Sequence, residues 1–532
     1  MTGPATILRS DVLVIGGGMA ACWAAIAAAR DGAAVTLVDK GYVGTSGVTA
    51  TGGPNHWWVP PGPGRDEAVE RRWATSFGLA ERDWMARIID ATWRTLPQLA
   101  PYYPFDTDGR GGTYYSGLRG PEYMRALRRF AVDRGVRILD HHPALELLVH
   151  DDGSVAGAAG FARLERRAWT ARAGAVVLAT GGCAFRSGLI GSHGNTGDGY
   201  LMAAEAGADL SGMEFSAVYS LSPVWNSTRT LPYPSARFFD AAGTELDVPP
   251  PRSGPDHVRG LAAAMLAGPV FADLSDAPPL LKRLLPHIQP ASPTPFVRKG
   301  IDLFADRFEV TLFGEGTIRG TGGLRIADDR CQTSVRGLYA AGDAATRELI
   351  AGATSGGGAQ NSAWALTSGL IAGAAGAARA QAGGQRTDRP VRAVGQAGLR
   401  PAVAPRPSQD VAVIGAVQAQ MLAYDKALWR NAATLTASQA VLDDLWTDLS
   451  AHRGAVGLDQ VGARETAAMT ATARWCNAAA LARDESCGLH MRTDVGGPTP
   501  ERAHRLLVGG LDRVWTRYDA GPVAPHRSEI AA

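Results

Sequence analysis

Cysteine is scarce in this chain of 532 residues: five, at positions 22, 183, 331, 476 and 487, with no pair at Cys-x-x-Cys spacing. That spacing excludes an iron–sulfur cluster or a zinc ribbon held by this chain alone, so no metal site is expected. An odd number of thiols in so long a chain points to a reducing, cytoplasmic setting. Lysine is scarcer still: only Lys40, Lys282, Lys299 and Lys426 stand among 53 basic residues, against 51 acidic ones, and no long basic block occurs. A nucleic-acid partner is therefore not expected, and abundant arginine beside 65 glycines reflects overall composition more than anion binding. Long apolar runs are missing as well. The most apolar later stretch, Ala363 to Ala378, is rich in small residues and too short for a membrane span, and the first residues lack the order of a signal peptide. Neither a membrane anchor nor export is expected. The remaining balance, 45% apolar and 20% charged residues, is that of a folded chain with several packed units.

The opening segment carries the strongest signal. Asp11 to Ile15 is an apolar, β-rich run followed at once by Gly16-Gly17-Gly18-Met19-Ala20-Ala21, then an Ala-rich helix to about Arg30, a turn at Asp31-Gly32, a second strand from Ala34 to Val38, and the pair Asp39-Lys40. Strand, glycine turn, helix, strand and acid in this order form a dinucleotide-binding fingerprint. Gly16 allows a tight turn, Gly18 lets backbone approach a pyrophosphate, and Ala21 permits close helix–strand packing. The helix start offers free N–H groups and partial positive charge to the phosphates, and Asp39 accepts from the adenosine ribose. Two later strands end in glycine turns: Ala175 to Leu178 runs into Ala179-Thr180-Gly181-Gly182, and Gly337 to Ala341 runs into Gly342-Asp343. The three together favour FAD as the dinucleotide.

On these blocks the chain resembles the succinate dehydrogenase/fumarate reductase flavoprotein family, which includes L-aspartate oxidase and the adenylylsulfate reductase alpha subunit. Further matching stretches are Ser46 to Gly53 (with Thr51 and Gly52), Asn195 to Gly199 (with Asp198), Gly352 to Gly358 (with Ser355) leading to Asn361-Ser362, and Arg483 to His490, where Cys487 replaces an arginine. The resemblance implies an α/β fold: a Rossmann-like FAD-binding domain with an inserted α+β capping domain and a C-terminal helical domain. The corresponding divisions are 1–215 and 320–382 for the FAD domain, 216–319 for the cap, 383–410 for a Pro/Gly/Arg-rich linker and 411–532 for the helical domain. It also implies that Ala144 contacts adenine, that Ser46 to Gly53 borders the flavin ring, and that the helix near Asn361 aims its N-terminus at the flavin. The family's covalently attached histidine would fall near Ser46, so non-covalent FAD is expected.

The departures are equally informative. Where fumarate reductases carry a His-Pro pair, this chain has Tyr219-Ser220; where they carry Arg-Asp, it has Pro255-Asp256; their second histidine corresponds to Ile318 and their other carboxylate-binding arginine to about Ser355. A C4-dicarboxylate needs two cationic clamps, because carboxylates are costly to desolvate unpaired. The expected activity is therefore an FAD-dependent oxidation or reduction of a small organic substrate next to a carbonyl, in a cleft between cap and flavin. Oxidation of an amine or alcohol with oxygen, and an adenylylsulfate reductase-like electron-transfer subunit, are the alternatives. Tyr219, Arg237, His257 and His56 are the candidate catalytic side chains. A second copy of the chain or a redox protein is a candidate partner.

Overall fold

The first strand, β1 (Thr6–Ile15), alternates at its start and is continuously buried from Val12 onward, the pattern of a strand that enters a sheet covered on both faces. It ends in the glycine turn, from which helix α1 (Met19–Arg30) runs back and the short apolar strand β2 (Val35–Val38) returns parallel to β1, pairing Val12 with Val35 and Ile15 with Val38. Residues 6–108, 111–228, 231–289, 292–383 and 389–519 are described by the structure, a computed structural model.

β1 and β2 belong to an eight-stranded mixed sheet. On the far side of β1 lies the long strand Arg167–Leu178, parallel to it, with Ile15 opposite Leu178; Leu338–Ala340 pairs parallel to that strand's end, with Ala340 opposite Leu178. Four neighbouring chain ends therefore finish along one sheet edge: Ile15, Val38, Leu178 and Ala340. The edge beyond the carboxyl ends of parallel strands is where open α/β sheets bind ligands. Helix α1 is Ala-rich and almost wholly buried, lying against the 27-residue helix Gly357–Gly383. Small residues make this contact possible: a Cβ at Gly373 would stand 2.1 Å from the Ala24 carbonyl oxygen, and one at Gly369 would stand 2.5 Å from that of Ala20.

The inserted cap carries its own antiparallel sheet, in the spatial order Tyr219–Pro223, Phe308–Gly314, Val270–Asp273 and Arg237–Phe239. It has a separate apolar core that includes Phe238, Leu261, Phe296 and Phe308. The C-terminal part holds the helices Asp410–Met421, Ala432–His452 and Asp459–Ala482. Two details depart from the expected layout. Within the stretch expected as a linker, Arg392–Ala393 joins the edge of the main sheet beside Ala144–Val149. The last region is not helical throughout: Leu506–Gly509 and Trp515–Tyr518 form a hairpin that pairs with Leu210–Ser211 of the FAD domain. Among the described residues no helix is long and apolar enough to cross a membrane.

Candidate active site

A cavity of about 890 Å³ opens along the sheet edge and continues to the cap. Its walls include Gly16, Gly18 and Ala20 from the first turn, Asp39 and Lys40 after β2, Ala144, and Thr180 and Gly181 after the long strand. They continue with Asp198, Gly342 and Asp343, Asn361 and Ser362, and the run containing Ser46, Thr51, Gly52 and Gly53. Three expected cofactor residues stand behind the wall. Ala21 is fully buried in the core, a Cβ at Gly182 would meet Thr317 2.6 Å away, and the Ser355 hydroxyl is buried without a partner.

Each wall has a local cause. Gly16 adopts φ +121°, and a Cβ there would lie 2.2 Å from the Ala179 carbonyl oxygen, so the turn and the neighbouring strand end meet backbone to backbone. Gly18 precedes α1 without any side-chain cap, which leaves the first helical N–H groups directed at the cavity. Asp39 is buried and accepts from the Ser46 hydroxyl and from Gly41 N at 3.0 Å; burial pushes its carboxyl above the usual range. Ser46 thus stands at the nucleotide end, while a Cβ at Gly53 would come within 2.8 Å of Gln289 of the cap. The Ser46–Gly53 run therefore spans the length of the cavity, and only its far end reaches the cap. Lys40 Nζ is fully engaged, donating to Thr196 at 2.9 Å, Asp198 at 2.6 Å and Glu465 at 2.9 Å, and these carboxylates raise its pKa against the opposing effect of burial. Asp343 accepts from the buried Arg347.

The polar groups left over identify what the cavity takes. Thr180 Oγ1 and both amide atoms of Asn361 are buried with no hydrogen-bond partner in the protein. Buried polar groups are rarely left unpaired, so a polar ligand belongs beside them. Asn361 lies in the first turns of the helix Gly357–Gly383, which starts four residues before the expected point and presents its positive end to the same space. A dinucleotide fits this arrangement: Gly18 would meet its phosphates and Asp39 its ribose, and Thr180 and Asn361 offer it unpaired polar groups.

The four expected catalytic side chains all lie outside the cavity wall. Tyr219 fails by one residue. Side chains alternate along a strand, so Ser220 faces the cavity while the Tyr219 hydroxyl donates to the Leu422 carbonyl at 3.1 Å and its ring packs edge-on to Tyr424. Arg237 sits in the opposite edge strand of the cap sheet, paired with Asp276 at 2.9 Å and Asp273 at 3.5 Å. His257 is tied through Nδ1 to the Pro249 carbonyl at 2.6 Å. His56 is 2% exposed, lies 3.3 Å from the Tyr123 hydroxyl, and is pushed down to about 3 by burial, so its imidazole stays neutral at physiological pH.

Side chains outside the expected catalytic set take their place. Ser220, Asn226, Thr228 and Pro295 of the cap, with Ile318 and Arg319 at its C-terminal end, line the cap end. The available signal for Arg319 was its place beside Ile318, just before the Gly320–Gly323 turn, but one more arginine in an arginine-rich chain carries little weight. Among the described residues no cluster of His, Cys, Asp or Glu has the grouping of a metal site.

Residues 11–104 and 112–257 match the FAD binding domain family, and residues 419–506 match the fumarate reductase flavoprotein C-terminal family. L-aspartate oxidase of Mycobacterium leprae is 27% identical over 555 residues, covering 94% of this chain and 95% of its own. In fold the chain is similar to E. coli quinol fumarate reductase, with TM-score 0.80, 20% identity, and 98% and 99% of the two chains covered. It is also similar to adenylylsulfate reductase of Archaeoglobus fulgidus, with TM-score 0.75, 20% identity, and 97% and 96% covered.

Proposed function

The chain belongs to the succinate dehydrogenase/fumarate reductase flavoprotein family and is an FAD-dependent oxidoreductase, and on that premise we propose that it oxidises or reduces a small organic substrate next to a carbonyl, at the cap end of the cavity. Non-covalent FAD supplies the two-electron chemistry there, and the protein supplies binding, orientation and exclusion of water. The observation that carries the reading is the make-up of the cap end: hydroxyl, amide and aliphatic groups from Ser220, Asn226, Thr228 and Ile318, with one arginine among the described lining residues. A four-carbon dicarboxylate calls for a cation at each end to offset desolvation, and this lining supports a substrate of lower charge. The Thr228 hydroxyl and the Asn226 amide suit a carbonyl oxygen, which accepts hydrogen bonds without a full charge to neutralise, while the Ser220 proton is already given to Glu315.

Anaerobic mixing of the purified holoprotein with saturated and α,β-unsaturated carbonyl compounds tests this. Bleaching of the oxidised flavin band by the saturated member, or its return when the reduced protein meets the unsaturated one, is the expected result. Faster turnover of succinate, fumarate or L-aspartate than of any such pair would overturn the reading. The second reading is amine oxidation. Its support is the near full-length similarity to L-aspartate oxidase, and bleaching by amino acids alone would favour it.

A further inference from the structure

We propose that Arg319 anchors the substrate by a single carboxylate, which makes the substrate a small organic acid with one negative charge near its reacting carbons. This rests on the reading of the cap end as the substrate site.

Among the described residues most charges along the cavity are answered. Lys40 is held by Asp198 and Glu465, Glu465 also accepts from Arg186, Asp343 is held by Arg347, and Asp39 takes the Ser46 hydroxyl. Arg163 is exposed, lies toward the nucleotide end, and donates to the Lys40 carbonyl at 3.3 Å. Arg319 differs from these. It lies on the cavity wall, its Nε is buried without an acceptor, and among the described residues its guanidinium has no hydrogen-bond or ion-pair partner. A partly buried guanidinium with no counterion is costly, and a planar carboxylate matches its fork with two parallel hydrogen bonds.

Its position also places it at the cap. Arg319 follows the turn Gly316–Ile318, which is headed by Glu315; Glu315 accepts from the Ser220 hydroxyl, and its N–H donates to the Val218 carbonyl at 2.8 Å. The turn thus hangs from the cap strand whose Ser220 faces the cavity. A carboxylate on Arg319 would leave the rest of a small acid against Ser220, Asn226 and Ile318. Among the described residues one arginine fork serves one carboxylate at the cap end, which separates this site from a two-clamp dicarboxylate site.

The test uses FAD-loaded protein and reads the flavin absorption spectrum during titration with crotonate, crotonamide and succinate. In the wild type, crotonate is expected to perturb the spectrum saturably, at least about tenfold more tightly than the neutral crotonamide, and succinate no more tightly than crotonate. Arg319→Met should lose at least about tenfold in crotonate affinity while retaining its FAD and its response to crotonamide, and Arg319→Lys should recover part of the loss. Crotonate binding unchanged in Arg319→Met overturns the proposal while leaving the cap-end site standing. A fall in flavin midpoint potential in that variant, with crotonate affinity intact, would assign the guanidinium to the cofactor and also overturn it. If none of the three compounds perturbs the flavin in any variant, the cap-end site itself is wrong and the anchor falls with it.

Discussion

Two glycines two residues apart do different work. Gly16 is demanded by the fold: its backbone is left-handed and the space for a Cβ is filled by the Ala179 carbonyl. Gly18 has ordinary dihedrals, φ −79° and ψ −175°, and the nearest atom to a Cβ there is the Gly47 Cα at 3.9 Å. The protein itself leaves room at Gly18, so the need for glycine comes from the ligand. Gly16→Ala should lower stability by about 1–3 kcal/mol through strain. Gly18→Val should melt within a few degrees of the wild type and yet purify without yellow colour. Melting temperature and the flavin absorbance per protein separate the two, and a fully flavinated Gly18→Val would refute the phosphate position. The same scale explains the miss at Tyr219. A motif position identifies a strand, but the face a residue presents changes with each step along it, and only the register of Tyr219 against Gly314 shows that Ser220 is the one turned inward.

Between elements, the decisive contact is α1 against the helix Gly357–Gly383. Alanine carbonyls on one helix sit over glycines on the other, so the two backbones approach closely and both helix starts are held toward the cavity. Gly373→Ala sets two effects against each other. Helix propensity gains about 1 kcal/mol, but the new methyl meets a backbone oxygen that cannot rotate away, and overpacking of this kind costs about 1–3 kcal/mol. The clash should win, with a lower melting temperature and weaker retention of FAD on dilution; an increase in melting temperature would show that the helices separate freely. The glycine run in this helix was visible in the sequence as composition. Its meaning as a close contact was not, because the partner helix lies over 300 positions earlier.

At the scale of the molecule, the C-terminal part is fastened to the FAD domain by charges buried between them. Arg483 pairs with Glu214 at 2.7 Å and with Glu485 at 2.8 Å, with Arg483 and Glu214 side chains fully buried, and Arg464 pairs with Glu205 at 2.5 Å. Removing one partner strands the other. Arg483→Met should therefore cost about 3–5 kcal/mol in unfolding free energy, whereas Arg237→Met, which breaks pairs on the cap surface, should cost no more than about 1 kcal/mol. Denaturant titrations of both variants check this, and similar losses for the two would show that burial does not set the strength of the interdomain pairs.

The cofactor half of the site was legible because its chemistry is local. A dinucleotide calls for glycines and a helix start at its phosphates and an acid at its ribose, at set distances along one stretch of chain, and Gly16, Gly18 and Asp39 stand at those distances. The substrate half was decided by tertiary structure alone. Ser220 and Arg319 are about a hundred positions apart, and nothing in either stretch tells which way its side chains turn. Only the pairing of cap strands and the turn at Gly316–Ile318 brings them to one wall, because a strand's facing residue and an arginine's counterion are properties of neighbours in space.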